Sequence, residues 1–177
     1  STITTGATLT WADKSGASNH VTQTVAGEQA TGSRTINGLN AFEFTDDSFN
    51  MPPLDIKDKT LFVALEADGF NDSQIFGYTD PANNVQIRIN TAGTLAYTSG
   101  SPYWPNATAS TQALSEGVPA VVGMFFDATV TTGNIAFSID GNYEESATGN
   151  DGDGFSEFDA IGKRFNGSNV NFFDGAM

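Results

Sequence analysis

Short apolar or alternating runs, broken by polar clusters, organise this chain. Clusters of Gly, Asn, Asp, Ser, Thr and Pro recur roughly every ten residues, the punctuation expected of a sandwich or barrel built from short strands. The runs predict strands at Ala41–Phe44, Thr60–Ala67, Gln74–Tyr78, Val85–Asn90, Thr94–Thr98, Ala120–Asp127, Asn134–Asp140 and Glu157–Gly162. The clearest alternation is Val85-Gln86-Ile87-Arg88-Ile89-Asn90. It puts Val85, Ile87 and Ile89 on one face and Gln86, Arg88 and Asn90 on the other, which predicts one solvated face. Leu61–Leu65 and Val121–Phe126 are continuously apolar, too short for most helices and rich in β-formers. They are expected as central strands covered on both faces. Apolar positions at helical spacing with capping signals are missing, and only Ser110–Glu116 could make a helical turn or two. The pattern predicts an all-β chain.

The length of 177 residues fits one domain over 1–177. With 38% apolar residues and 19 glycines, the composition is that of a chain able to bury a core. Seven basic against 21 acidic residues leave a net charge of −14, which repels phosphate backbones and anionic lipid and argues against nucleic acid as a partner. No apolar run approaches the ~18 residues of a membrane span, so no membrane insertion is expected. The absence of cysteine excludes disulfide scaffolds, thiolate zinc sites and cysteine nucleophiles.

Candidate chemistry concentrates in two long connections. Thr98–Gln112 carries Pro102-Tyr103-Trp104-Pro105, aromatics on a stiffened loop, with Asn106, Thr108 and Gln112 nearby. A sugar needs a flat ring for its C–H face and polar groups for its hydroxyls, so Tyr103, Trp104 and Asn106 are candidate ligand-binding residues. Trp104 capping the core is the alternative. Glu144–Phe155 carries Asp151-Gly152-Asp153-Gly154, where carboxylates two apart in a glycine loop could hold calcium, which prefers oxygen ligands. An acidic surface turn is the other reading of Asp151 and Asp153. Glu157 and Asp159 have the i, i+2 spacing that would share one strand face, as paired carboxylates of glycoside hydrolases do. Ile161 and Gly162 stand where a third acid would complete the set, so a solvated strand face is expected and no catalysis. His20, the only histidine, has no G-x-S-x-G nearby to supply a nucleophile elbow and is read as a turn residue.

Three stretches resemble a known family. Trp11-Ala12-Asp13-Lys14-Ser15-Gly16-Ala17-Ser18-Asn19-His20-Val21, followed by Gln29-Ala30-Thr31, is similar to the W-x-D-x-S-G-x-G-N-x-A and Q-P-x elements of laminin G-like domains of the concanavalin A-like lectin/glucanase superfamily. Ser18, Val21 and Ala30 depart from that pattern. Asn37–Phe49 resembles the family's N-G-x-x-A-x-x-F-D-G-x-D-D-x-L strand and turn, shortened before Asp46-Asp47. Ile161-Gly162-Lys163-Arg164 and Phe172-Phe173-Asp174-Gly175 look like its I-G-x-R strand and the F-x-G element that leads into a last strand.

The resemblance implies a concanavalin A-like jelly-roll sandwich of two antiparallel sheets. It makes Asp46 and Asp47 further calcium candidates, since some relatives bind calcium at a sandwich edge. It also implies that the first and last strands of the complete domain lie outside 1–177. The function it implies is a non-catalytic glycan-recognition or adhesion module on an extracellular or virion-surface protein. Its partners would be a glycan or cell-surface polysaccharide, with copies of itself or neighbouring virion or surface subunits. The rival expectation is a structural module of a phage fibre, capsid decoration or surface layer that binds no sugar.

Overall fold

The computed structural model describes residues 3–4, 8–56, 58–78, 85–98, 108–127, 134–146, 157–165 and 170–177. Its strands, in chain order, are β1 (Ile3–Thr4), β2 (Leu9–Trp11), β3 (Val21–Gln23), β4 (Thr31–Ile36), β5 (Leu39–Asp47), β6 (Phe49–Asp55), β7 (Thr60–Ala67), β8 (Ser73–Gly77) and β9 (Gln86–Ile89). They continue with β10 (Thr94–Thr98), β11 (Thr108–Ala113), β12 (Ala120–Asp127), β13 (Asn134–Ile139), β14 (Asn142–Ser146), β15 (Glu157–Ile161), β16 (Lys163–Phe165) and β17 (Val170–Ala176). The helical content of the described residues is one 3-10 turn, Ala26–Glu28.

Two antiparallel sheets result. One has the order β1-β2-β3-β6-β15-β8-β9-β10-β11, the other β14-β13-β12-β7-β17-β5-β4, with β16 paired to β17. The core between them is aromatic and aliphatic: Phe42, Phe44, Phe49, Ile87, Tyr97, Met124, Phe126, Phe158 and Phe173 are all buried. Trp11 packs on its edge, 4.9 Å from the Phe42 ring and 5.9 Å from Phe49. The protein is a β-sandwich, and the eight strands predicted from short apolar or alternating runs all occur.

Local chemistry explains several connections. Asn37-Gly38 and Asp140-Gly141 turn β4 into β5 and β13 into β14 with positive φ at both residues, the backbone that matches strand twist in a two-residue hairpin. Pro52 and Pro53 lie inside β6, an interior strand. Proline has no N–H to donate to a ladder, and the β6–β15 register shifts around them, from Leu54↔Phe158 to Asn50↔Ala160. Gly162 carries the chain from one sheet to the other, since Ile161 pairs with β6 and β8 while Lys163 pairs with β17. Its φ is +80°, and a Cβ there would sit 2.7 Å from the Phe44 ring.

Three expectations are corrected. Ser110–Glu116 is not helical: β11 runs through Ala113, and a turn follows in which Val118 N–H donates to Ser115 O. Gln112 and Thr111 are usable as an edge strand because a carboxylate from the opposite sheet satisfies them, a cue that no local window contains. Secondly, Gln86 and Arg88 are not solvated; they are 1% and 4% exposed. Arg88 pairs with Asp72 Oδ1 at 2.7 Å, and Gln74 Nε2 donates to Asp72 O at 2.7 Å, so this polar face is enclosed rather than wet. Thirdly, β7 and β12 are central in their sheet but not covered on both faces, with Phe62 64% and Val121 50% exposed.

The carboxylate that satisfies β11 is Glu144 of β14. Its oxygens accept from Thr111 N (2.6 Å), Thr111 Oγ1 (2.7 Å) and Gln112 N (2.8 Å), tying the edge of one sheet to the edge of the other and occupying backbone donors that would otherwise invite strand pairing. Burial alone would raise the Glu144 carboxyl, but these hydrogen bonds outweigh it and hold it below its ordinary range. A carboxylate with a depressed native pKa stabilises the fold above its unfolded pKa, and that contribution is lost as pH falls through the native value. Glu144→Gln is expected to cost about 1 kcal/mol after allowance for its partial exposure. Urea unfolding at pH 7 and in acid checks this: the gap between variant and wild type should close as the acid limb is descended.

Candidate functional site

Of the two acidic pairs expected as calcium ligands, Asp46-Asp47 is the one within the described residues, and the fold gives its two residues different settings. Opposite β17, Asp47 pairs with Phe173 and Thr45 with Asp174, so Asp46 is an extra residue in the ladder. It adopts φ +58°, as a bulge residue does. Asp46 lines a cavity, while Asp47 is 8% exposed and accepts from Thr45 N at 2.9 Å. Burial pushes the Asp47 carboxyl up, with the Thr45 bond opposing. Asp46 thus stands at the cavity and Asp47 in the interior, near enough for the Asp46 charge to push the Asp47 carboxyl up as well.

The cavity, of about 330 Å3, is lined by Thr45, Asp46, Asn71, Ser73, Phe172, Phe173 and Asp174. Three separate elements build it. β5 supplies Thr45 and Asp46 through the bulge, β17 supplies the phenyl rings and Asp174, and the approach to β8 supplies Asn71 and Ser73. Two backbone anchors hold the walls: Asp68 N donates to Asp174 O at 3.0 Å, and Ser73 Oγ donates to Gly69 O at 3.0 Å. Burial pushes the Asp174 carboxyl above the usual carboxylate range, Asp68 and Asp46 push the same way, and Arg34 pulls against them. Arg34 is held by Glu66 and Asp68, with Nη2 3.1 Å from Asp68 Oδ1. The rim is thus acidic with one guanidinium. It offers acceptors, an amide, two hydroxyls and the half-buried Phe172 ring, a set that suits a hydroxyl-rich neutral ligand and repels anions.

Other singled-out residues go elsewhere. Tyr103, Trp104, Asn106, Asp151 and Asp153 lie outside the described residues. Of the strand ends that flank their segments, Thr98 shares one row with Gln86 and Gly77, and β15 begins with Glu157 beyond that row, passing Gly77 at Ala160. That is the far end of β8 from Ser73, so the flanking strand ends and the cavity lie at opposite ends of that strand. Glu157 is exposed, Phe158 buried and Asp159 half-buried, so Glu157 and Asp159 share the outer side of β15 as their spacing predicts, and the register shift beside them is taken up by the extra residues of β6 between Asn50 and Leu54. His20 is a turn residue. Its Nδ1 accepts from Asp13 N at 3.0 Å, and the Asp13 carboxylate accepts from Ser15 N, Ser15 Oγ and Asn19 N. Those bonds hold the Asp13 carboxyl below its ordinary range, the Ser15 hydroxyl contributing most.

A second polar network is structural. Gln23 and Ser48 are fully buried; Gln23 Nε2 donates to Ser48 Oγ at 2.8 Å, and Ser48 Oγ to Glu28 Oε2 at 3.1 Å. Lys163 Nζ completes it at 2.8 Å from Glu28 Oε2. The Lys163 hydrogen bond, against burial, holds Glu28 below the usual range. No group of three or more His, Cys, Asp or Glu placed to hold a metal occurs among the described residues.

Thr45, Asn71, Ser73 and Asp174 escape a reading of the sequence because no local pattern unites residues 45, 71–73 and 174. Only the insertion of β17 beside β5 does so. The sequence matches no protein-family model and no curated protein, so the chemistry of the site is argued from its geometry.

Proposed function

We propose that this chain is a non-catalytic recognition module of laminin G-like, concanavalin A-like jelly-roll type, taking a neutral glycan in the cavity between β5, β17 and the start of β8. The observation that carries the reading is the convergence there of two carboxylates, an amide and two hydroxyls beside the half-buried Phe172 ring. Carboxylates accept hydrogen bonds from sugar hydroxyls, the amide and hydroxyls both give and accept, and a phenyl ring accommodates the C–H face. An extracellular or virion-surface setting belongs to this reading, with net charge −14 favouring uncharged over anionic polymers. One shallow site of this kind binds weakly, so useful avidity would come from several copies.

The test is a neutral-glycan array followed by titration of the best hit, with calcium and with chelator, because Asp46 and Asp174 are hard oxygen donors. Asp174→Asn is expected to weaken binding about tenfold, a loss of one charge-assisted hydrogen bond. Because burial raises the Asp174 carboxyl, binding should fall with decreasing pH earlier than it would for an ordinary aspartate. Absence of any glycan hit, or an Asp174→Asn variant indistinguishable from wild type, would sink the reading.

A further inference from the structure

On the outward face of the eight-stranded sheet, Phe62, Gly123, Ser138 and Tyr143 occupy one row across β7, β12, β13 and β14. Phe62 and Tyr143 are 64% and 59% exposed, and Val121 50%. Half-buried Phe125 stands between the two rings, 5.7 Å from Phe62 at an interplanar angle of 89° and 5.4 Å from Tyr143 at 70°. A Cβ on Gly123 would lie 2.8 Å from Phe62 Cε1. The Phe62 ring therefore rests on the glycine backbone and turns its other face to solvent. Covering a strand glycine accounts for where the ring lies. It does not account for the exposed Tyr143 and Val121 that continue the strip.

We propose that this strip is a second carbohydrate contact, distinct from the cavity, on which Phe62 and Tyr143 stack against the ring faces of a neutral polysaccharide chain. Area argues against a second copy of this chain as the occupant. With aromatic side chains of about 150–250 Å2, the exposed part of the strip is roughly 300 Å2, against about 800 Å2 per partner in a stable protein interface. Charge argues the same way. Two copies would each bring −14, and the same sheet face carries Glu43, Glu66, Asp68 and Asp174 around Arg34. That field repels anionic polymers too and leaves an uncharged ligand with flat apolar faces. A sugar chain fits because its hydroxyls stay in water while its C–H faces cover the rings.

The experiment is co-sedimentation of the purified chain with three insoluble neutral polysaccharides, namely cellulose, chitin and β-1,3-glucan. Variants are Phe62→Leu, which keeps Gly123 covered but removes the ring, Tyr143→Ala, and the double variant. Wild type should be retained on at least one polymer. Each single variant should weaken retention about fivefold and the double variant more than about tenfold, with unchanged melting temperature. The double variant should still bind the array-selected glycan of the cavity within about twofold of wild type, so the two sites fail separately. Retention of the double variant equal to wild type overturns the proposal, as does failure of wild type to sediment with any polymer. A concentration-dependent dimer that Phe62→Leu abolishes would also overturn it and assign the strip to a second copy.

Discussion

Gly175→Ala is expected to destabilise the fold by about 3 kcal/mol or more, which for a domain this size lowers the melting temperature by roughly 6–12 °C. Gly175 pairs with Ala67 of β7 on one side and Phe44 of β5 on the other, at φ +140°. A Cβ there would sit 2.1 Å from Glu66 O and 2.9 Å from the Ala67 Cα. Both are backbone atoms of a paired strand, so no rotamer change relieves the contact, and the strain of a conformation that non-glycine residues avoid adds to it. Gly38→Ala is the control. Gly38 also has positive φ, +78°, yet nothing lies within 4 Å of its missing Cβ, so its cost should stay near ~1 kcal/mol. Thermal unfolding of both variants separates steric exclusion from backbone strain; equal losses would mean that β17 can shift to admit a methyl group.

Phe158→Ala is expected to cost about 3–5 kcal/mol. The side chain is fully buried, stacked 5.6 Å from Phe76 within its own sheet and 6.4 Å from Phe126 across the core. Removing it leaves a void between two rings that belong to different sheets, and neither can close it without breaking its own ladder. Urea unfolding should show a lower midpoint with an unchanged slope. A loss below about 1 kcal/mol would mean that the sheets close over the gap. The partial exposure of Phe62 makes it the useful contrast, since an aromatic ring that water already reaches has less burial to lose.

Strands are legible in this sequence where apolar side chains repeat with period two over a run bounded by turn residues. β9 is legible in that way, whereas β7 and β12 are legible as continuous apolar runs whose Leu65, Val122 and Met124 are buried against the facing sheet. The others hide for identifiable reasons. β4 (Thr31–Ile36) is largely exposed and polar at a sheet edge; β11 relies on Glu144 from 33 residues away; β6 contains two prolines. The covering of a face is a tertiary property, so neither the enclosure of Gln86 and Arg88 nor the exposure of Phe62 could be read from β9 or β7 alone. Of the site, Asp46 was legible as an acidic turn residue, and its bulge and partners were not.

The strand that closes the eight-stranded sheet is made after every other strand described. β17 lies between β7 and β5, with Met177 exchanging both backbone hydrogen bonds with Phe42, so the middle of that sheet stays open until residues 170–177 have left the ribosome. Until then β5 and β7 each present an unpaired edge, and the pairing they await joins positions more than 100 residues apart in sequence. The sandwich therefore cannot be completed while its own strands are still being made, and the long loop that β17 closes makes folding slow. During that interval those edges are open to pairing with neighbouring chains.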